Sequence, residues 1–234
     1  MRVAILQSNY IPWKGYFDII DRVDLIVFHD DLQYTKQDWR NRNRIKTHNG
    51  ATWMTVPCGT SEKRLICEVT LNDSSWQEAH WKRLFDSYHS TRFFHSYEPF
   101  LREVYLERVW KNLSDLNQFI IKYIARELLS IGTEFDDSRR HELKKTNAER
   151  VLELLRAVNA SHYLSGPAGR SYLSEQMFLE AGIGIDWMSY DHYQEYEQVF
   201  PPFEHNLTVL DVLFHTGPDA RRFVTGARSP RVAS

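Results

Sequence analysis

Short apolar runs and one helical stretch alternate at the start of the chain. An apolar run ends at Leu6, residues 13–22 have apolar positions at helical spacing, and a second apolar run occupies residues 25–28. Strand, helix and strand in this order predict a βαβ unit with two parallel strands and a right-handed crossover. The loop after the first strand then lies at the edge of the sheet where open α/β folds bind their ligands.

The middle of the chain carries the pattern of amphipathic helices. Apolar side chains recur at spacings of three and four, as from Leu84 to Tyr88, and the same pattern returns twice further along. Such positions share one face of a helix, which predicts an insertion of three helices over about residues 75–130. Two additional strands are predicted ahead of this insertion, at residues 52–56 and 66–71.

A second pattern of strand, helix and strand follows the helical block. Residues 162–164 and 185–188 have the character of buried strands, with a helix at residues 172–181 between them. Together the two units predict a three-layer α/β fold, a Rossmann-like parallel sheet with the helical insertion between its halves. The charged stretch at residues 135–145 is predicted to be the end of a strand and a surface loop.

Charge and composition argue against some classes of binding partner. The 234 residues include 29 basic and 31 acidic side chains, a formal net charge of −2, which argues against a protein that coats nucleic acid or an anionic membrane. No apolar run is long enough to span a bilayer, and Cys58 and Cys67 are spaced neither as a zinc pair nor as a disulfide framework. We predict a cytoplasmic protein with no membrane association, one domain over residues 1–224 and a flexible tail over residues 225–234.

Polar, aromatic and basic side chains are concentrated in the loop after the first predicted strand. Its sequence from Gln7 to Phe17 contains more polar groups than a turn needs. The glycine allows a ligand to approach the backbone, and the aromatic rings offer stacking surfaces for a base or a sugar. The substrate-binding candidates in this loop are Gln7, Asn9, Tyr10, Trp13, Lys14 and Gly15. A helix start whose aromatic residues pack in the core is the alternative explanation.

Acidic residues follow the second predicted strand. Asp30 and Asp31 stand at its carboxyl end, where two carboxylates can hold Mg²⁺ with its remaining waters, or one can act as a general base. Tyr34 is suited to orient an acceptor, and Lys36 to neutralise a phosphate or a carboxylate. We therefore predict catalytic roles for these four residues. Solvated residues that open a turn would give the same pattern.

An alternating run of arginine and asparagine comes next in the chain. In an extended backbone successive side chains point to opposite faces, so Arg40, Arg42 and Arg44 would form a clamp for phosphate or carboxylate. Asn41 and Asn43 would lie on the opposite face, and all five residues are substrate-binding candidates. A helical or irregular backbone would spread the arginines, and a solvated basic run is the alternative explanation.

A glycine-rich loop separates the strand and the helix of the second unit. Its sequence, Ser-Gly-Pro-Ala-Gly-Arg, allows close backbone approach, and the amides at the start of a helix favour an anion. The spacing matches neither a dinucleotide-binding loop nor a Walker loop, so a tight turn that requires glycine explains it equally well. The binding candidates here are Ser165, Gly166, Gly169, Arg170 and Tyr172.

Three of these motifs resemble those of the WbqC-like proteins of bacterial O-antigen gene clusters: Gln-x-Asn-Tyr-x-Pro-Trp-x-Gly-Tyr-Phe, Asp-Asp-x-Gln-Tyr-Thr-Lys and Trp-Arg-Asn-Arg-Asn-Arg. The resemblance covers residues 7 to about 217. It implies a biosynthetic transferase of lipopolysaccharide assembly, with glycine transfer as one form. Pro12-Trp13-x-Gly15-Tyr16 is also similar to the Pro-Phe-His-x-Gly-His loop of the nucleotidylyltransferase superfamily. Both histidine positions are aromatic here, which argues against ordinary adenylyl transfer.

Two hypotheses about function follow. The first is a transferase or ligase that places an aminoacyl group, such as glycyl, or another acyl group on the amine or hydroxyl of an acceptor such as a nucleotide-linked sugar. ATP with Mg²⁺, or an aminoacyl-tRNA, would supply the activated group. The second is a noncatalytic protein that binds a sugar nucleotide or a carboxylate, and a nucleotidylyltransferase-like enzyme is a further alternative. The sequence does not specify an oligomeric state.

Overall fold

The predicted apolar runs form one parallel sheet in the computed structural model, which describes residues 1–226. The strands of the chain are β1 (Arg2–Leu6), β2 (Leu25–Phe28), β3 (Arg42–Thr47), β4 (Gly50–Thr55), β5 (Glu134–Asp137), β6 (His162–Ser165) and β7 (Gly184–Trp187). β5, β2, β1, β6 and β7 lie side by side in this order, and every neighbouring pair is parallel. The flanking α-helices are α1 (Lys14–Asp21), α2 (Ser75–Tyr88), α3 (Phe94–Arg102), α4 (Leu113–Tyr123), α5 (Asn147–Ala157), α6 (Glu175–Glu180), α7 (Val209–Thr216) and α8 (Ala220–Thr225). The predicted α/β, Rossmann-like architecture is confirmed.

β1 occupies the centre of the sheet because it is apolar on both faces. Ala4 belongs to one hydrophobic core, and its neighbours Val3 and Ile5 belong to the other. From β1 the chain builds outward to β2 and β5, then returns to place β6 and β7 on the opposite side. The carboxyl ends of β1 and β6 are therefore the point where the strand order reverses, which is the usual ligand site of such sheets.

The helical insertion predicted over about residues 75–130 is confirmed as α2, α3 and α4, which lie between β4 and β5 in the chain. The apolar faces of these helices join the larger core, where Leu84, Leu101 and Leu116 are fully buried. Asn112 caps the start of α4, and its side chain accepts a hydrogen bond from an amide of the first turn. The spacing of apolar residues thus predicted these helices correctly.

The strand predicted at residues 66–71 is wrong. Ile66–Glu68 form a single turn of 3-10 helix, and Ile66 and Val69 are buried three positions apart. That spacing suits a helical turn, whereas the buried side chains of a half-buried strand alternate. The strand predicted at residues 52–56 is confirmed as β4, which pairs with β3 in an antiparallel hairpin outside the parallel sheet.

The stretch at residues 135–145, predicted to be the end of a strand and a surface loop, begins in β5, which pairs with β2 along its whole length, and continues as a turn and a loop. Its charged side chains suit an exposed sheet edge. The helix predicted to begin at residue 172 begins at Glu175, because Pro167–Ser171 form a separate helical turn.

The described part of the chain ends in a helix. Thr225, the first residue of the predicted tail of residues 225–234, is the last residue of α8, and residues 227–234 lie outside the described part. Among residues 1–226, no helix is both long and apolar enough to cross a membrane.

Candidate functional site

The carboxyl ends of the central strands surround a cavity of about 520 Å³ where the strand order reverses. We call it the switch-point cavity. Its polar lining is Gln7, His29, Arg40, Asn147, Arg150 and Tyr172. A helix that connects parallel strands begins at their carboxyl edge, which is why the first turn of α5 contributes Asn147 and Arg150. The structure therefore brings the predicted residues Gln7, Arg40 and Tyr172 to one cavity.

Arg150 organises the charged side of the switch-point cavity. Its Nε donates a hydrogen bond of 3.0 Å to Nε2 of His29, and its Nη2 donates to Oδ2 of Asp31. The hydroxyl of Ser138 donates to the other oxygen of Asp31. Burial lowers the pKa of His29 despite the opposing effect of the Asp31 carboxylate, so the ring is uncharged at neutral pH and Nε2 is an acceptor. A guanidinium for an anion thus lies beside an imidazole that can take up a proton.

Asp30 and Asp31 have different environments although they are adjacent. Asp30 is fully buried, where Oδ1 accepts a hydrogen bond of 2.8 Å from the amide of Ser8 and Oδ2 accepts one of 3.0 Å from Nε2 of Gln118. Asp31 keeps 17% of its side chain exposed. Asp30 therefore fixes the start of the loop after β1, whereas Asp31 stands beside the cavity. Within residues 1–226, no three His, Cys, Asp or Glu side chains are grouped to hold a metal ion.

A second cavity has a volume of about 430 Å³. Its lining is Asn9, Pro12, Trp13, Trp39, Asn43, Arg44 and Asn206. Because Gln7 and Arg40 line the switch-point cavity while Asn9 and Trp39 line the second, short segments of two loops separate the cavities. Oδ1 of Asn9 is buried without a hydrogen-bond partner in the described chain, so a donor group on a ligand would satisfy it.

The loop that separates the two cavities has a strained backbone. Ile11 has a φ of +36°, a conformation that β-branched residues rarely adopt. Nδ2 of Asn43 donates to the carbonyl oxygens of Ile11, over 2.9 Å, and Tyr10, over 3.3 Å. The amide of Val209 donates to the carbonyl oxygen of Pro12 over 2.9 Å. The hairpin and α7 together hold the loop in place, which is the circumstance in which such strain persists.

The three arginines of the alternating run do not line one common cavity. Arg42 and Arg44 lie on one face of β3, as an extended backbone predicts, with their guanidiniums 4.2 and 5.8 Å from the ring centroid of Trp53. Arg40 precedes the strand, forms an ion pair with Asp38 and lines the switch-point cavity. The three guanidiniums therefore do not form one clamp, because the strand begins two residues after Arg40.

Lys14, the first residue of α1, is buried beneath the irregular segment between β7 and α7. Its Nζ lies 3.3 Å from Nδ1 of His205 and 4.9 Å from the ring centroid of Tyr193. Burial lowers the pKa of Lys14 to about 8, although acidic neighbours led by Asp211 oppose the shift. Lys14 lines neither of the two cavities.

Other candidates are packed in the core or stand apart from the cavities. The hydroxyl of Tyr10 lies 2.8 Å from Nδ1 of His80, and Nδ2 of Asn41 donates to a backbone carbonyl over 2.9 Å. Tyr34 is also fully buried, whereas Lys36 is exposed on the loop after β2. None of these four candidates lines either cavity, and their roles toward a substrate stay predictions.

The glycine-rich loop after β6 reaches the same edge of the sheet through one residue. Tyr172 is 60% exposed and lines the switch-point cavity. Gly169 is packed so closely that a Cβ there would lie 2.3 Å from Oγ of Ser165, which fits the explanation of a tight turn. Gly166 has space around it, and the guanidinium of Arg170 lies over the indole at the end of β7.

Arg150, Asn206 and His29 line cavities but are not among the candidates predicted from the sequence. A signal for Arg150 existed, since the start of any helix between parallel strands faces the carboxyl edge. Asn206 has no such signal. It belongs to an irregular segment, and a backbone bridge between Trp13 and Thr208 brings that segment to the second cavity.

One comparison with known proteins identifies a family. The model of the WbqC-like protein family matches residues 7–223. The chain is 41% identical over 229 residues to the uncharacterized protein Rv1507c of Mycobacterium tuberculosis, covering 97% of this chain and 99% of that protein. No solved structure matches the chain significantly.

Proposed function

The chain belongs to the WbqC-like protein family, and we propose that it is a biosynthetic transferase or ligase acting on a phosphate-bearing acceptor. In this proposal an aminoacyl or other acyl group passes to an amine or hydroxyl of the acceptor. A nucleotide-linked sugar is the acceptor class that we favour, and surface-polysaccharide synthesis in the cytoplasm is the setting. The observation that carries the proposal is the convergence of Arg40 and Arg150 on the switch-point cavity.

Two guanidiniums on one cavity suit a phosphate or a diphosphate. Guanidinium groups bind phosphate oxygens through paired, charge-assisted hydrogen bonds. The cavity volume of about 520 Å³ is within the range of pockets that hold molecules of nucleotide size. The exposed ring of Tyr172 offers a stacking face, and the amide of Gln7 can accept from and donate to sugar hydroxyls.

His29 is the group that we propose takes the proton from the attacking amine or hydroxyl. Its ring lines the cavity and is uncharged at neutral pH because burial lowers its pKa. In the unliganded protein Nε2 of His29 accepts from Arg150. A phosphate bound to Arg150 would compete for that guanidinium and free the imidazole nitrogen. Asp31, 3.7 Å from Nε2, would stabilise the imidazolium that forms.

ATP and Mg²⁺ belong to one version of the proposal, in which the acyl group is activated as an adenylate. Asp30 is unsuited to hold the metal ion, since both of its oxygens already accept hydrogen bonds in the core. Mg²⁺ would therefore enter with the phosphates of ATP, as it commonly does. An aminoacyl ester as donor needs neither ATP nor a metal ion held by Asp30.

Calorimetric titration with UDP- and dTDP-sugars and with ATP, each with and without Mg²⁺, tests the proposal. We expect binding of a sugar nucleotide, with Arg40→Ala raising Kd by about 10- to 100-fold, because one charge-assisted contact contributes about 1.5–3 kcal/mol. Arg102→Ala, on the exposed surface of α3, is the matched control and should leave Kd unchanged. Equal affinity of Arg40→Ala and wild type for every compound would contradict the proposal.

The variant His29→Asn distinguishes an enzyme from a noncatalytic binding protein. An enzyme should keep most of its affinity and lose about 10²- to 10⁴-fold in kcat, the usual effect of removing a positioned acid or base. Sugar-nucleotide binding without turnover from any activated donor, in wild type as in the variant, would favour the binder.

A further inference from the structure

The exposed face of the β3–β4 hairpin carries two tryptophans that the proposed function does not use. Trp39, just before the hairpin, is 44% exposed, and Trp53 on β4 is 38% exposed. Their ring centroids are 5.4 Å apart with an angle of 43° between the rings. Neighbouring exposed indoles form an apolar aromatic surface, and exposed apolar patches can mark a binding site. We call this surface, together with Arg42 and Arg44, the tryptophan platform.

Arginine side chains lie beside one of the two indole rings, that of Trp53. The guanidinium of Arg42 lies 4.2 Å from the ring centroid of Trp53 and makes no hydrogen bond or ion pair with any residue in the described chain. Arg44 lies 5.8 Å from the same ring and donates to the carbonyl oxygen of Asn206 over 3.0 Å. Arg83 approaches from α2 and donates to the carbonyl oxygen of Trp53 over 3.0 Å. Positive charge and stacking surface therefore alternate along the platform.

The platform leads into the second cavity. Trp39 and Arg44 line that cavity, and the unpartnered Oδ1 of Asn9 lies at it. Gln7 is two residues from Asn9 in the chain, and Arg40 directly follows Trp39. Both Gln7 and Arg40 line the switch-point cavity. A molecule that extends over the platform and into the second cavity would thus end next to the proposed acceptor site.

We propose that the second cavity and the tryptophan platform bind the single-stranded 3′ end of an aminoacylated RNA, which donates the acyl group. This inference rests on the proposed function and names its donor. The terminal aminoacyl-adenosine occupies the cavity, with its ribose hydroxyl donating to Oδ1 of Asn9. The preceding bases stack on Trp39 and Trp53, and their phosphates contact Arg42, Arg44 and Arg83.

The dimensions and the charge of the surface favour an RNA end over a mononucleotide or a whole RNA. A mononucleotide has one base, whereas the platform offers two rings and two guanidiniums, and Arg83 adds a third guanidinium beside Trp53. Sequence-tolerant binding of single strands combines stacking rings with a basic track in this manner. The net charge of −2 provides no extended basic surface for the body of an RNA, so only its end docks.

The transfer step balances without an oxidant or a reductant. The acceptor amine attacks the carbonyl carbon of the aminoacyl ester, a C–N bond forms, and the bond from that carbon to the ribose oxygen breaks. His29 takes the proton from the amine and returns it to the departing ribose oxygen. An acceptor hydroxyl would form a new ester by the same steps.

Fluorescence anisotropy with a 5′-labelled RNA hairpin that ends in a single-stranded ACCA tail tests the inference, with a blunt hairpin for comparison. We expect the tailed RNA to bind the full chain about 10-fold or more tightly than the blunt one. Trp53→Ala should weaken binding by about 5- to 100-fold, since each base–ring stack contributes about 1–3 kcal/mol, and Trp53→Phe should restore part of the affinity. Arg42→Ala should lower both the affinity and its salt dependence.

Two variants elsewhere on the insertion control for general effects. Phe85→Ala removes an aromatic ring of similar exposure, 37%, and Arg102→Ala removes an exposed charge, so both should bind the tailed RNA as wild type does. Equal binding of tailed and blunt RNA, or no effect of Trp53→Ala, overturns the inference. Binding of a sugar nucleotide that depends on Trp53 also overturns it, because the platform would then hold a mononucleotide.

The failure of this inference can be distinguished from failure of the proposed function. The tailed RNA could fail to bind while a sugar nucleotide binds with a dependence on Arg40. That result would refute the proposed RNA donor and support the proposed acceptor site. If the tailed RNA binds through Trp53 while no sugar nucleotide binds, the inference is supported and the acceptor class must be revised.

Discussion

The indole of Trp13 lies directly over Gly15, so closely that a Cβ at residue 15 would stand 2.3 Å from the ring. The other side of Trp13 packs against Tyr190, with ring centroids 5.0 Å apart. Trp13 also lines the second cavity. The glycine in the first turn of α1 is therefore required by the position of the ring that forms this cavity wall.

Gly15→Ala should displace the indole of Trp13 and destabilise the protein by about 1–3 kcal/mol, the usual cost of forcing extra volume into a packed site. Equilibrium unfolding in urea measures the change. Gly132→Ala is the matched control, since no atom lies within 4 Å of the added Cβ and the backbone there is not left-handed. Equal stability of the two variants would show that Trp13 can move at no cost.

Asn43→Ala should release the strained loop between the cavities. The side-chain amide of Asn43 donates to the carbonyl oxygens of Tyr10 and Ile11, and its loss leaves buried acceptors unpaired at a cost of about 1–3 kcal/mol. Urea unfolding reports the loss of stability, and calorimetry of the folded variant reports weaker ligand binding. Asn49→Ala, in the exposed turn of the hairpin, should change neither. Unchanged affinity of Asn43→Ala would show that loop strain does not serve binding.

Lys14→Met should stabilise the protein at neutral pH. Burial lowers the pKa of Lys14 from 10.5 to about 8 in the folded state, so below pH 8 the folded protein holds a charge that the unfolded chain solvates better. The destabilisation amounts to about 3 kcal/mol below pH 8 and fades as pH rises to about 10.5. Urea unfolding at pH 6, 8 and 10 should show a difference between wild type and variant that shrinks with pH. A constant difference would refute the assignment.

Asp137→Asn should remove part of the acid sensitivity. Burial alone would raise the pKa of Asp137, but hydrogen bonds from Arg139 and Gln118 outweigh it and lower the pKa from 3.8 to about 2. The carboxylate therefore stabilises the fold by about 2 kcal/mol above pH 4, and this contribution is lost as pH falls from 4 to 2. The variant should be less stable than wild type at pH 7. Its free energy of unfolding should change less between pH 4 and pH 2. Asp86→Asn, on the exposed face of α2, should follow wild type.

The parallel sheet could be predicted because each of its central strands is a short apolar run between helical patterns. The helical insertion could be predicted because its apolar spacing extends over whole turns. Residues 66–71 misled the prediction, since an apolar run without clear periodicity fits a strand and a buried helical turn equally. Boundaries near Glu175 and Thr225 depend on local turns that periodicity does not detect.

The candidate site was only partly predictable for a different reason. Gln7 directly follows the first strand, so its location followed from topology. The burial of Asp30 did not follow, because its partner Gln118 is 88 residues away in the chain. Similarly, the separation of Arg40 from Arg42 depends on where β3 begins, and a pattern of alternating residues does not mark that start.

The central position of β1 has a consequence for how the protein is made. One edge of β1 pairs with β2 early in the chain, but the other edge pairs with β6, where the amino group of Met1 meets Ser161 across 160 residues. During synthesis an apolar strand edge therefore stays open until most of the chain has emerged, and contacts of such long sequence separation form slowly. The candidate site, whose first motifs precede β6 by more than a hundred residues, is completed among the last parts of the fold.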